Sequence, residues 1–148
     1  MYSQRLFASW GDMDFNAHMR NTAYLDKAAD VRMRFFAEHD FPMSEFVRQG
    51  LGPVVMKDEI EYMREFHLLE EVEVSLCLAG MSDDGSRMFI RNEFFREGKL
   101  AARVTSTVGW LDRKQRRLIC PPGPLLAALQ ALDKSDDFAV LPSSANSQ

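Results

Sequence analysis

Only one stretch of the chain carries a long helical period, and most of the residues after it alternate like strand. From Asn21 to about His39, Tyr24, Ala28, Val31 and Phe35 recur at three- and four-residue steps, with Leu25 and Ala29 beside them. Asp26, Asp30, Arg34 and Glu38 recur at four-residue steps on another face, where Asp30/Arg34 and Arg34/Glu38 can pair. This predicts an amphipathic helix of about five turns. The small pair Ala28-Ala29 would let its backbone approach a sheet closely, and Asn21 has the short side-chain acceptor that suits a helix cap. A lone amphipathic helix in a mostly β chain has one place to bury its stripe, across the face of a sheet.

The sheet is legible from residue 54 onward. Asp40-Phe41-Pro42 stops the helix, because proline disfavours helical geometry in the residue before it. Met43 to Gln49 reads as one more helical turn, and Gly50-Leu51-Gly52-Pro53 as a break. Val54 to Tyr62 alternates imperfectly, with Val54, Met56, Ile60 and Tyr62 on one side. Val72, Val74, Leu76 and Leu78 alternate cleanly with Glu71, Glu73, Ser75 and Cys77, the period of a strand with one buried face. After the turn Asp83-Asp84-Gly85-Ser86, a strand from Arg87 to Arg96 puts Met88, Ile90 and Phe94 on one face. Phe89 and Phe95 fall on its other face and suggest an oligomer surface. Glu97-Gly98-Lys99 turns again into a strand lined by Leu100, Ala102, Val104, Ser106, Val108 and Trp110, so these three strands form an antiparallel meander. Pro121-Pro122-Gly123-Pro124 is a rigid connector, Leu125 to Leu132 a short apolar helix, and the small polar residues after about Lys134 a tail expected to fray. With Tyr2 to Trp10 as the first strand, the order is β-α-β-β-β-β. The class is α+β, with one domain over residues 1–134 and a flexible tail over 135–148.

At 148 residues the chain is long enough to bury roughly 68–70% of its unfolded surface without a staple. A net charge of −4 gives no long-range attraction for nucleic acid or an anionic membrane. No run approaches the roughly 18 apolar residues of a spanning helix, and the start lacks an apolar leader, so the cytoplasm is the expected compartment. Cys77 and Cys120 lack metal-ligand spacing and read as packing residues; no metal is expected.

The chemistry concentrates in Trp10-Gly11-Asp12-Met13-Asp14-Phe15-Asn16-Ala17-His18-Met19-Arg20-Asn21, between the first strand and the helix. A loop feeding a helix N-terminus gathers unpaired N–H donors and partial positive charge, which suits an oxyanion. Asp14 is favoured as a carboxylate there, able to serve as a general base. Its plain alternative is a loop or capping aspartate. Asp12 reads as a structural residue bonding loop amides. His18 is either a hydrogen-bonded loop histidine or a group orienting a carbonyl or Asp14. Asn16 and Asn21 could donate to substrate, though turn and cap duties explain them equally. Asp12-x-Asp14-x-Asn16 opens like a calcium loop, but Ala17 replaces the turn glycine and Ala23 the closing glutamate. No GxSxG or Walker A segment is present.

The segments Trp10-Gly11-Asp12-Met13-Asp14, His18-Met19-Arg20-Asn21 and Tyr24-Leu25, with the Trp110-Leu111-Asp112 to Pro121-Pro122 ending, resemble the hotdog-fold acyl-CoA thioesterases, in particular the 4-hydroxybenzoyl-CoA thioesterase-like branch. The chain departs from that pattern where Ala17 stands for the usual glycine and Arg20 for an asparagine. The resemblance implies an antiparallel sheet wrapped around one long central helix, and protomers paired as a homodimer or a dimer of dimers with sites at their interfaces. It implies an acyl-CoA substrate, with coenzyme A entering as part of that substrate and no separate cofactor. Asp14 matches the catalytic carboxylate, as base or nucleophile, and His18 the histidine of members that have one. Backbone N–H groups around Met19 to Thr22 would hold the thioester oxygen, with Tyr24 matching the family's helix tyrosine. Met56, Glu59 and Tyr62 would lie where relatives line the acyl channel. Arg113, Lys114, Arg116 and Arg117 form a basic turn that would either stay solvated or dock the coenzyme A phosphates. Two rivals stand beside hydrolysis: a hotdog enoyl-CoA hydratase, whose loop needs a different Asp-to-His spacing, and a non-catalytic acyl-CoA-binding protein.

Overall fold

A computed structural model describes residues 1–145. The strands are β1 (Tyr2–Phe7), β2 (Leu51–Tyr62), β3 (Glu71–Ser82), β4 (Arg87–Arg96), β5 (Lys99–Asp112), β6 (Arg117–Ile119) and β7 (Lys134–Leu141), and the helices are α1 (Asn21–Glu38), α2 (Met43–Gln49) and α3 (Gly123–Gln130). The main path of the sheet runs β1-β3-β4-β5-β2, antiparallel throughout. The expected meander is β3-β4-β5, and the α+β class holds. Two strands were not anticipated. β6 folds back on the end of β5, pairing Trp110 with Ile119. β7 runs parallel to β3, pairing Gly80 with Ala139 and Ser82 with Leu141, so most of the segment expected to fray is strand. Beyond it, the Ser144 N–H donates to Ser86 Oγ at 2.8 Å; residues 146–148 of the expected tail lie outside the described residues.

The alternation read from sequence is the alternation of burial along β4 and at the start of β3, but Ser75 and Cys77, read as the open face of β3, are buried as well, so the middle of that strand is covered on both sides. Val72, Val74, Leu76 and Leu78 of β3, and Met88, Ile90 and Phe94 of β4, are all buried. Tyr24, Ala28, Val31 and Phe35 of α1 lie with them in one core, and α1 packs on β3, β1 and β5. Its buried face is wider than the predicted stripe, because Ala23, Arg32 and Phe36 are buried too. Two corrections concern its edges: Ala29 is exposed, and Asn21 is the first helical residue, Arg20 taking the cap position. At the C-terminal end of α1 an aromatic group closes the core. Phe36 meets Trp110 edge-on at 5.9 Å, Phe46 stacks on the same indole, and Trp110 Nε1 donates to the Gly85 carbonyl at 3.0 Å.

Arg32 is a charged residue within this core. Its guanidinium donates to Asn92 Oδ1 at 2.8 Å and to Ser106 Oγ at 2.9 Å, while Ser106 Oγ donates to Asp58 and Asn92 Nδ2 to the Ser75 carbonyl. Burial lowers the Arg32 pKa to about 10, against the favourable pull of Asp58, and it stays charged at neutral pH. β2 is the opposite case, an edge strand open along most of its length. A bulge between Val55 and Lys57 shifts its alternation, leaving Met56 and Tyr62 exposed while Val54 and Ile60 are half-buried.

Candidate active site

The polar loop is built by backbone hydrogen bonds rather than by its length. Trp10–Asp12 forms one 3-10 turn, closed by Asp12, whose carboxylate accepts the Ser9 N–H at 2.9 Å and pairs with Lys27 at 2.8 Å. Partial burial works against its charge, but those bonds outweigh it and hold the Asp12 pKa below the usual carboxylate range. Asp12 is therefore structural, as its position suggested. Met13 then bridges Met19, and between them the chain reverses in a tight loop. The Asp14 N–H donates to the His18 carbonyl at 2.8 Å, and Asp14 Oδ1 accepts the N–H groups of Asn16 at 2.8 Å and His18 at 3.1 Å. Ala17 closes the reversal at φ 63°, the left-handed conformation for which glycine is the easier residue.

Asp14 thus has two oxygens with different duties. Oδ1 holds the loop; among the described residues Oδ2 accepts no hydrogen bond. The side chain lines two adjoining clefts. One, of about 320 Å³, is lined by Asp14, His18, Met19, Tyr24 and the segment Tyr62 to Glu65. The other, of about 440 Å³, has Trp10, Met13, Phe15, Ala17 and Leu68 as its walls. Trp10 and Phe15 stand fully in solvent beside it, at 81% and 104% exposure.

The first cleft brings together residues far apart in sequence because the Met19 N–H donates to the Phe66 carbonyl at 2.9 Å. That bond sets the segment after β2 against the loop. His18 Nε2 meets Glu65 at 2.9 Å, and the rings of His18 and His67 lie 5.3 Å apart. Tyr24 packs edge-on against Tyr62 at 5.2 Å and Phe94 at 5.3 Å. Burial, reinforced by the neighbouring Tyr62 phenol and by the carboxylates of Glu65 and Asp14, pushes the Tyr24 phenol up to about 12, so it is a neutral O–H donor in the cleft wall. Glu65 and His67 stand outside the sequence expectation. No local spacing marks them; the Met19–Phe66 bond brings Glu65 to the cleft and His67 beside His18.

The other expected residues divide sharply. Met19 is buried and lines the cleft; Asn16 is exposed and bonds only through its backbone to Asp14. The amides expected to hold an oxyanion are mostly taken. Met19 donates to Phe66, Arg20 to the Asp12 carbonyl at 2.8 Å, and Thr22 to Asn21 Oδ1 at 3.0 Å, which leaves the Asn21 N–H among those four without a protein acceptor. Met56 and Glu59 lie on the exposed edge strand outside the cleft, and Glu59 pairs with Lys57 at 2.9 Å. Arg113, Lys114 and Arg116 are exposed on the β5–β6 turn, which the Arg113 N–H anchors to the Gly50 carbonyl at 2.9 Å, at the start of β2. The cleft is at the other end of that strand. Over the 12 residues of β2, at about 3.3 Å each, the separation is roughly 35 Å within one subunit.

Residues 8–130 match the thioesterase-like superfamily, and the chain belongs to that family. No curated protein sequence matches it. Among solved structures, it is similar to a gentisyl-coenzyme A thioesterase (TM-score 0.77, 15% identity, 86% of this chain and 99% of that one). It is also similar to a 1,4-dihydroxy-2-naphthoyl-CoA thioesterase from Synechocystis (TM-score 0.79, 13% identity, 88% and 96%). A third likeness is to a Staphylococcus aureus protein in complex with CoA (TM-score 0.79, 18% identity, 99% and 92%). At these identities the likeness is one of fold, and the α+β architecture with its large antiparallel sheet is consistent with the hotdog fold expected from the sequence.

Proposed function

We propose that the protein is an acyl-CoA thioesterase of the cytoplasm, hydrolysing a thioester to a carboxylic acid and free coenzyme A. The observation that carries this reading is the position of Asp14, a side chain shared by an apolar-walled cleft and a polar one, with one carboxylate oxygen unengaged. An acyl thioester has the same two-sided character. Its acyl group fits against Trp10, Met13, Phe15 and Leu68, and its carbonyl beside Asp14 faces His18 and Tyr24. Asp14 Oδ2 then takes the proton of an attacking water, or attacks the carbonyl itself; the Tyr24 hydroxyl and the Asn21 N–H are the available donors for the charge that develops on oxygen.

A homodimer completes this reading, with the sheet of each subunit wrapped around its α1. A two-fold axis pairs two copies of an edge strand antiparallel, which sets the start of β2 in one copy beside its end in the other. The Arg113, Lys114 and Arg116 turn of a second copy then reaches the cleft that its own subunit's turn cannot. That turn is the candidate dock for the coenzyme A phosphates.

The test is release of free thiol from short, long and aromatic acyl-CoAs by the wild type and by Asp14→Asn. The amide keeps an oxygen for the two loop N–H groups and removes the charge. The expected loss is about 10²- to 10⁴-fold in kcat with the melting temperature unchanged. Equal turnover by the two proteins would take Asp14 out of the reaction, hydration of enoyl-CoA without thiol release would favour the hydratase, and tight binding without turnover would leave an acyl-CoA carrier.

A further inference from the structure

Two of the chain's three histidines converge on one carboxylate at the mouth of the polar cleft. His18, Glu65 and His67 each offer a ligand atom, and these atoms all lie within 4.8 Å of one another. All three side chains are open to solvent, at 33%, 61% and 49% exposure, so an ion could reach them without any rearrangement of the core.

We infer that His18, Glu65 and His67 form a binding site for a divalent transition-metal ion of the zinc class. Two imidazoles and a carboxylate are ligands that zinc accepts, and three protein ligands leave a fourth position open. Ligands about 2.0–2.2 Å from a tetrahedral ion stand about 3.3 Å from one another. The 2.9 Å contact of His18 Nε2 with Glu65 therefore needs to open by only a few tenths of an ångström, the ion taking the place of the proton between them.

The backbone holds the two rings for this. His18 precedes Met19 and His67 follows Phe66, so the Met19–Phe66 hydrogen bond fixes both imidazoles side by side. The orientation of His67 is set independently. Its Nδ1 lies 3.1 Å from Glu70 Oε1, which also accepts the His67 N–H at 2.6 Å, while Glu70 Oε2 pairs with Arg96 at 3.0 Å. A carboxylate only accepts, so Nδ1 carries the proton and Nε2 keeps its lone pair for a metal. A ligating histidine whose second nitrogen donates to a carboxylate is the usual outer arrangement of a zinc site.

Titration of the metal-free protein with Zn²⁺ by calorimetry tests the site, with Co²⁺ as a spectroscopic substitute whose visible bands separate imidazole from thiolate ligation. The expected result is one ion per chain, with affinity reduced more than tenfold by His67→Ala or His18→Ala and about 10- to 100-fold by Glu70→Gln. His39→Gln, at the far end of α1, leaves it unchanged. No uptake of Zn²⁺ by the wild type, or equal binding by the His67 and His39 variants, overturns the site. Circular dichroism melts of each variant separate loss of a ligand from loss of fold, and the binding result stands or falls independently of thioester hydrolysis.

Discussion

Ala17 shows how much a single position can carry. It adopts φ 63° because only three residues lie between Asp14 and His18, whose backbones hydrogen-bond, and one of the three must turn left-handed. An alanine there costs about 1–2 kcal/mol relative to an allowed conformation, through the approach of Cβ to the backbone. Ala17→Gly is therefore expected to raise stability by up to about 1 kcal/mol, after the extra chain entropy of glycine is subtracted, and to leave turnover intact. A chemical denaturation curve measures it; a lower midpoint for the variant would show that the alanine methyl makes a contact worth more than the strain. The sequence places Asp14 in a polar loop ahead of a helix, but not the different bonding of its two carboxylate oxygens. Which oxygen anchors the loop and which is free depends on where the Asn16 and His18 amides point.

At the scale of elements, β4 was the easiest strand to read, because alternation follows burial directly along it, whereas β3 keeps that pattern only at its start and is buried on both faces beyond Val74. Two kinds of element were not so easily read. β7 opens on four polar residues and its apolar half, Phe138 to Leu141, runs without alternation, and it becomes a strand because the edge of β3 beyond β1 is open for pairing from Leu78 to Ser82. The middle of α1 hides a buried arginine that helical periodicity assigns to no face in particular. Its cost is met by partners on β4 and β5, so the network should fail when one partner is removed. Asn92→Ala leaves the Arg32 guanidinium and the Ser75 carbonyl each short of a bond, and is expected to destabilise the fold by about 3–5 kcal/mol. Thermal unfolding of the variant decides this. A loss below about 1 kcal/mol would mean that water enters and replaces the amide.

For the whole molecule, the exposed edge of β2 is the feature that most needs a partner. Val55 and Met56 stand 49% and 41% exposed on a strand with unpaired backbone groups, an arrangement that invites another strand. The wild type is expected to sediment at about twice the 17.0 kDa chain mass, and the double variant Val55→Glu, Met56→Glu near the single mass, since like charges would face one another across the two-fold axis. Analytical ultracentrifugation separates the two, and a wild type that remains monomeric would remove the second copy from the proposed site. Among the described residues no helix is long and apolar enough to cross a membrane.

The sequence by itself determined the elements whose cause is local: the helix from its period, the meander from its alternation and turns, the Asp14 loop from its place between a strand and a helix. Tertiary structure alone decided the rest. A hydrogen bond between Met19 and Phe66 assembled His18, Glu65 and His67, the bonds made by the Met19, Arg20 and Thr22 amides left the Asn21 N–H alone among those four without a protein acceptor, and the length of β2 separated the basic turn from the cleft of its own subunit. Each of these is a relation between residues far apart in the chain, and periodicity records only what neighbours do.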